Sequence, residues 1–128
     1  MRKEAENWLK QAESDFKNAK FLVSKKAYDL VAFLSHQVAE KSLKAYIIEK
    51  KRELPFKGHN LKEYGEDAEC PMEISIFLRD LTPHYIVSRY PDASGGVPAE
   101  LYTEENARLL LEKAGKVLEW AKKSLKVS

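Results

Sequence analysis

Residues 29–52 read DLVAFLSHQVAEKSLKAYIIEKKR, and how this stretch is read decides the fold. Its apolar residues Leu30, Phe33, Leu34, Val38, Leu43, Ala45 and Ile48 recur at helical rather than alternating spacing. The pattern predicts a long helix with Asp29 as its N-cap and the basic run Lys50-Lys51-Arg52 at its negative end. On the amino-terminal side, Trp8, Leu9, Ala12, Phe16, Ala19, Leu22 and Val23 form one stripe of a preceding helix. Glu4 and Glu6 open that helix and Lys25-Lys26 close it, the charge order that suits the helix dipole.

On the carboxyl side, Leu54-Pro55-Phe56-Lys57-Gly58-His59 carries the breakers of a loop. Asn60 and Glu63 stand at capping-box spacing before a short helix at Leu61, expected to run two turns and weakened by Gly65. Pro71 suits the first position of the next helix, whose stripe is Ile74, Phe77, Leu78 and Leu81, and Pro83 bends or ends it. Asp92-Ala93-Ser94-Gly95-Gly96-Val97-Pro98 reads as a mobile surface loop. Thr103, followed by Glu104 and Glu105, caps a last helix with its stripe from Ala107 to Leu125. Four long helices, one short one and no run of period two predict an all-α, antiparallel up-and-down four-helix bundle over residues 1–128 as a single domain.

The composition narrows the function classes. Hydrophobic residues are 44% and charged residues 33% of 128, too apolar for disorder and too interrupted for a membrane span. A charged amino terminus without a signal-like apolar run predicts a cytoplasmic protein. Cys70 stands alone, and His36, His59 and His84 are not at ligand spacing, so neither a disulfide, a metal nor a cofactor is implied. The net charge of +2 gives no whole-molecule argument for nucleic acid, so any anion site must be local.

Within the second helix, His36, Glu40 and Lys44 follow at steps of four beside Gln37 and Lys41. A solvated face with helical ion pairs explains such a series by itself. Trp8, Phe16, Phe33 and Phe77 lie on apolar stripes and read as core, whereas Trp120 falls beside its stripe and either flanks the core or reaches a second subunit. These apolar faces predict self-association.

Three pieces in order, His36-Gln37-Val38-Ala39-Glu40-Lys41-Ser42-Leu43-Lys44-Ala45, Gly58-His59-Asn60-Leu61 and Tyr85-Ile86-Val87-Ser88-Arg89-Tyr90-Pro91-Asp92, resemble the HEPN domain family over nearly the whole chain. The resemblance implies a helical bundle that homodimerises, occurs with a minimal nucleotidyltransferase in toxin-antitoxin pairs, and binds a nucleotide or RNA. Arg89, Tyr90, Asp92, Lys41, Lys44 and His59 are then the candidates for nucleotide or phosphate contact, Arg89 offering a planar fork of donors. Asp92 also suits an ordinary turn, His59 can orient the short helix, and Arg89 can equally be a strut paired with Asp92 or Glu40.

Some branches of that family are metal-independent endoribonucleases that use an Arg followed a few residues later by a His, and Arg79 and His84 match the spacing. Imidazole can take the proton of a ribose hydroxyl while guanidinium holds charge developing on phosphate. On a straight helix, however, residues five apart diverge by about 140°, so the pair converges only through a bend at Pro83 or across a dimer. The Arg89-Tyr90-Pro91-Asp92 motif resembles a branch in which the ribonuclease pair is generally not preserved. A third reading is a structural dimerisation module without a ligand.

Overall fold

The computed structural model describes residues 1–55 and 57–126, so Phe56 of the expected loop lies outside the described residues. The chain folds as a bundle dominated by α1 (Lys3–Ser24), α2 (Tyr28–Tyr46), α4 (Met72–Leu81) and α8 (Glu104–Ser124), with α3 (Leu61–Ala68) as the additional short helix. Three one-turn helices, α5 (His84–Val87), α6 (Pro91–Ser94) and α7 (Pro98–Leu101), link α4 to α8. No helix of the described residues is long and apolar enough to cross a membrane.

α2 is the axis of the bundle, packed on α1, α8, α3, α4 and α5. Ten of its residues are buried, and they include Ala32, Ala39 and Ala45, whose small side chains let neighbouring helices approach closely. The main core joins Leu9 and Ala12 of α1, Leu43 of α2, Tyr64 of α3, Leu78 of α4 and Leu118 of α8. A smaller cluster of Ala19, Val23, Val31, Ala107 and Leu111 closes the other end.

Several boundaries differ from the expectation, each for a local reason. The N-cap of α2 is Ala27 rather than Asp29, which lies inside the first turn, where a carboxylate still suits the dipole without a capping bond. The α2 ladder does not end at Tyr46 but widens into a π-helical turn over Ile47–Lys51, which closes with Arg52 in the left-handed region at φ 56°. The wider turn lets both Ile47 and Ile48 be buried. The Asp92–Pro98 stretch is not plain loop: Pro91 and Pro98 each start a helical turn, since proline at a helix start gives up only an amide that would be unpaired anyway.

Asn60 caps α3 by accepting from the Lys62 amide, and Thr103 caps α8 in a reciprocal box with Asn106. Gly65 has a packing reason as well: a Cβ there would lie 2.6 Å from Leu78 Cδ1, so its absence lets α4 press onto α3. Trp120 flanks the core, its ring 4.7 Å from that of Tyr46.

Because Leu43 is fully buried on the axial helix, Leu43→Ala should destabilise the protein by about 2–5 kcal/mol, read as a lower urea midpoint with an unchanged slope.

Candidate functional site

The polar series of α2 is not a solvated face. His36 is fully buried and Glu40 is 2% exposed, because His59 and α5 fold over this side of the helix. A buried carboxylate is tolerable only when its oxygens are paired. Here Glu40 Oε1 accepts from His59 Nδ1 at 2.8 Å and Oε2 from Lys44 Nζ at 3.1 Å.

His36 completes the anchorage. Its Nε2–H donates to the backbone carbonyl of His59 at 2.8 Å, which leaves Nδ1 to accept from the Gln37 amide at 3.3 Å. Burial pushes its proton affinity down to about 4, although the His59 carbonyl and Glu40 pull the other way, so the ring is neutral. Residue 59 is thus held twice, by its backbone on His36 and by its side chain on Glu40.

Tyr85 of α5 stacks on the His59 ring at 3.7 Å and 12°. With one face of the tyrosine covered, the Arg89 guanidinium, 4.2 Å from the same ring centre, must occupy the other. Arg89 also lies 4.8 Å from the Phe33 ring and 4.9 Å from the Tyr90 ring, and its Nε–H donates to the Tyr85 carbonyl at 2.7 Å. His59, Tyr85 and Arg89 therefore form one column.

Beside this column is a cleft of about 380 Å³ lined by Trp8, Lys44, Pro55, Lys57, Gly58 and His59. Lys44 Nζ sits 4.5 Å from the centre of the Trp8 ring. His59 Nε2 has no partner among the described residues.

The residues singled out from the sequence divide among these neighbourhoods. Lys44 and His59 share the Glu40 carboxylate and the cleft; Arg89 and the half-exposed Tyr90 stand beyond Tyr85. Lys41 points instead to α1, bonded to the buried Asp15 at 2.5 Å. Asp92 is exposed in the first turn of α6. Neither it nor Glu40 pairs with Arg89, whose strut contacts are aromatic rings and a carbonyl.

Arg79 is exposed and lines a cleft with Lys62 and Glu66 on the α3 side, whereas His84 Nδ1 meets the Tyr102 hydroxyl at 2.6 Å. Burial, and then the charge of Lys113, lower the proton affinity of His84, and burial raises that of Tyr102 to about 12. Tyr85 belongs to one of the family-like motifs without a role of its own there, and no periodicity could assign one, since its partners are Phe33 and His36 of α2, His59 and Arg89.

This arrangement stands on a fold that other proteins share. The HEPN domain model matches residues 5–125, and the chain belongs to the HEPN domain family. Over 138 residues it is 30% identical to the protein named "Putative toxin MJ1304" of Methanocaldococcus jannaschii, covering 97% of this chain and 90% of that one. The crystal structure of TT1696 from Thermus thermophilus superposes with a TM-score of 0.86 at 28% identity, over 95% of this chain and 98% of that one. That of ST0689, an archaeal HEPN homologue, gives 0.81 at 34% identity, over 96% and 98%.

Two measurements check the geometry. Unfolded, the His36 ring takes its proton near 6.5, and folded only near about 4. Its contribution is therefore complete above pH 6.5 and falls as pH drops toward about 4, by as much as about 3 kcal/mol. Urea unfolding at about pH 7 and about pH 4.5 should show this loss, and His36→Gln should flatten it. Arg89→Lys gives up the planar stack and the Nε donor, so it should cost about 1–2 kcal/mol and lower the melting temperature.

Proposed function

We propose that this HEPN domain protein is a regulatory module that homodimerises, pairs with a minimal nucleotidyltransferase in a toxin-antitoxin-like system, and holds a nucleotide or RNA phosphate in the cleft beside Glu40. One observation carries the reading: a single buried carboxylate holds both His59 and Lys44 at the cleft wall. Glu40 consumes the equivalent of one positive charge. Lys57, exposed on the same cleft and without an ion pair among the described residues, remains available to an anion. His59 Nε2 offers a further polar atom whose position is set from behind by Glu40 and His36. Arg89, Tyr90 and the exposed Asp92 support an extension of the same surface beyond Tyr85 toward a second phosphate or the partner. Lys41 contributes by neutralising Asp15.

The endoribonuclease reading draws on the relative named as a toxin and on His84, a ring left neutral by burial and so able to accept a proton. In one chain Arg79 and His84 line different neighbourhoods, so this chemistry would need the Arg79 of a second copy.

Isothermal titration with nucleoside triphosphates and a short single-stranded RNA tests the first reading. Lys57→Glu should weaken binding about tenfold with an unchanged melting temperature. Absence of any binding would leave the ligand-free structural dimer. Incubation with RNA and EDTA separates the enzyme: the binding module leaves the RNA intact, whereas a ribonuclease cleaves it and loses that activity in His84→Ala.

A further inference from the structure

We propose that the cleft between α1 and α8 is a docking site for an acidic amphipathic helix of a partner protein. The cleft has a volume of about 720 Å³, and none of its lining residues belongs to the neighbourhood of Glu40. The proposal therefore stands independently of the nucleotide reading.

The floor of the cleft is apolar. Phe16 of α1 lies across α8 at Gly115, where a Cβ would come within 2.9 Å of the ring, and Leu118 continues the surface one turn on. Gly115 thus lets the Phe16 ring lie directly on α8, where it and Leu118 form an apolar strip between the lysine-bearing sides. A cleft between two helices with an apolar floor presents the groove into which the apolar ridge of a third helix packs.

The walls carry the selectivity. Lys17 and Lys20 rise from α1, and Lys116, Lys122 and Lys123 from α8. Three glutamates stand among them, leaving an excess of two positive charges. Lys122 is engaged by Glu13 at 3.4 Å and Lys123 by Glu119 at 2.8 Å. Lys17 and Lys116, one on each wall, form no ion pair among the described residues. They flank the apolar floor as carboxylates on both sides of an amphipathic helix would require.

A nucleic acid strand fits the same surface poorly. Glu13, Glu112 and Glu119 face where phosphates would run, and the Phe16 ring, with Lys20 Nζ 4.4 Å from its centre, stands as a single aromatic in the cleft rather than as a series on which successive bases stack. A peptide helix meets neither obstacle, because its side chains can pair with lysines and avoid glutamates position by position.

The test uses the full-length protein and a fluorescein-labelled helical peptide of roughly four turns, with Leu and Phe on one stripe and Glu on both flanks. The comparison ligands are the same peptide with Lys in place of Glu and a labelled oligouridylate. The Glu peptide should bind and the Lys peptide should not. The double variant Lys17→Glu, Lys116→Glu should weaken binding about tenfold or more, while Lys3→Glu, Lys50→Glu, with the same change in net charge at exposed positions elsewhere, should not. Melting temperatures of both variants should match that of the parent. The idea fails if the Glu peptide does not bind, if the Lys peptide binds as well, or if both double variants weaken binding equally. It is also overturned if oligouridylate binds and is the ligand that Lys17→Glu, Lys116→Glu displaces.

Discussion

A carboxylate placed in the middle of the axial helix organises one whole side of this bundle. Glu40 is removed from water by the elements around it, and an ion so placed is costly unless other charges and donors come to it. Lys44 arrives from the next turn of the same helix, which needs nothing beyond helical geometry. His59 must arrive from outside, so Glu40 dictates where the connection between α2 and α3 runs. His36 secures the same residue through its carbonyl, and the position of the His59 ring then sets that of Tyr85 and, through it, Arg89. A segment with little regular structure is thereby fixed by the electrostatic needs of a helix.

The long helices were legible because their apolar residues recur at helical spacing, although α2, enclosed on several sides, is buried well beyond a single stripe. α1 and α8 follow their apolar residues closely, and the Thr103 cap lies where its sequence signature put it; on α2 the expected stripe holds only in part, since Leu30 is exposed whereas Val31, Ala32 and Ala39 are buried. The short elements were less so. Pro91 and Pro98 looked like breakers, but a proline that stops one helix also starts the next, and composition does not say which. Asp29 was an obvious capping residue by type, yet it sits two residues past the Ala27 cap, inside the first turn.

At the candidate site the spacing of His36, Glu40 and Lys44 correctly joined three residues on one face, but gave no measure of its burial. That depends on His59 and α5, which come later in the chain and cover the face only in three dimensions. Lys41 marks the opposite lesson. One residue after Glu40 on a helix is about 100° around the axis, so the periodicity that joined His36, Glu40 and Lys44 already set Lys41 apart, and it turns toward Asp15 and α1.

The π-helical turn at Ile47–Lys51 carries a consequence for how chains of this shape diverge. A turn of this width accommodates one more residue than a regular α-turn over the same rise, and it lies between Glu40 and the connection that bears His59. It is a slack link in the backbone. A homologous chain one residue shorter can tighten this turn to ordinary α geometry and still deliver its histidine to the buried carboxylate. Residues 47–51 are thus a place where the chain can take up a change of one residue in length between Glu40 and His59.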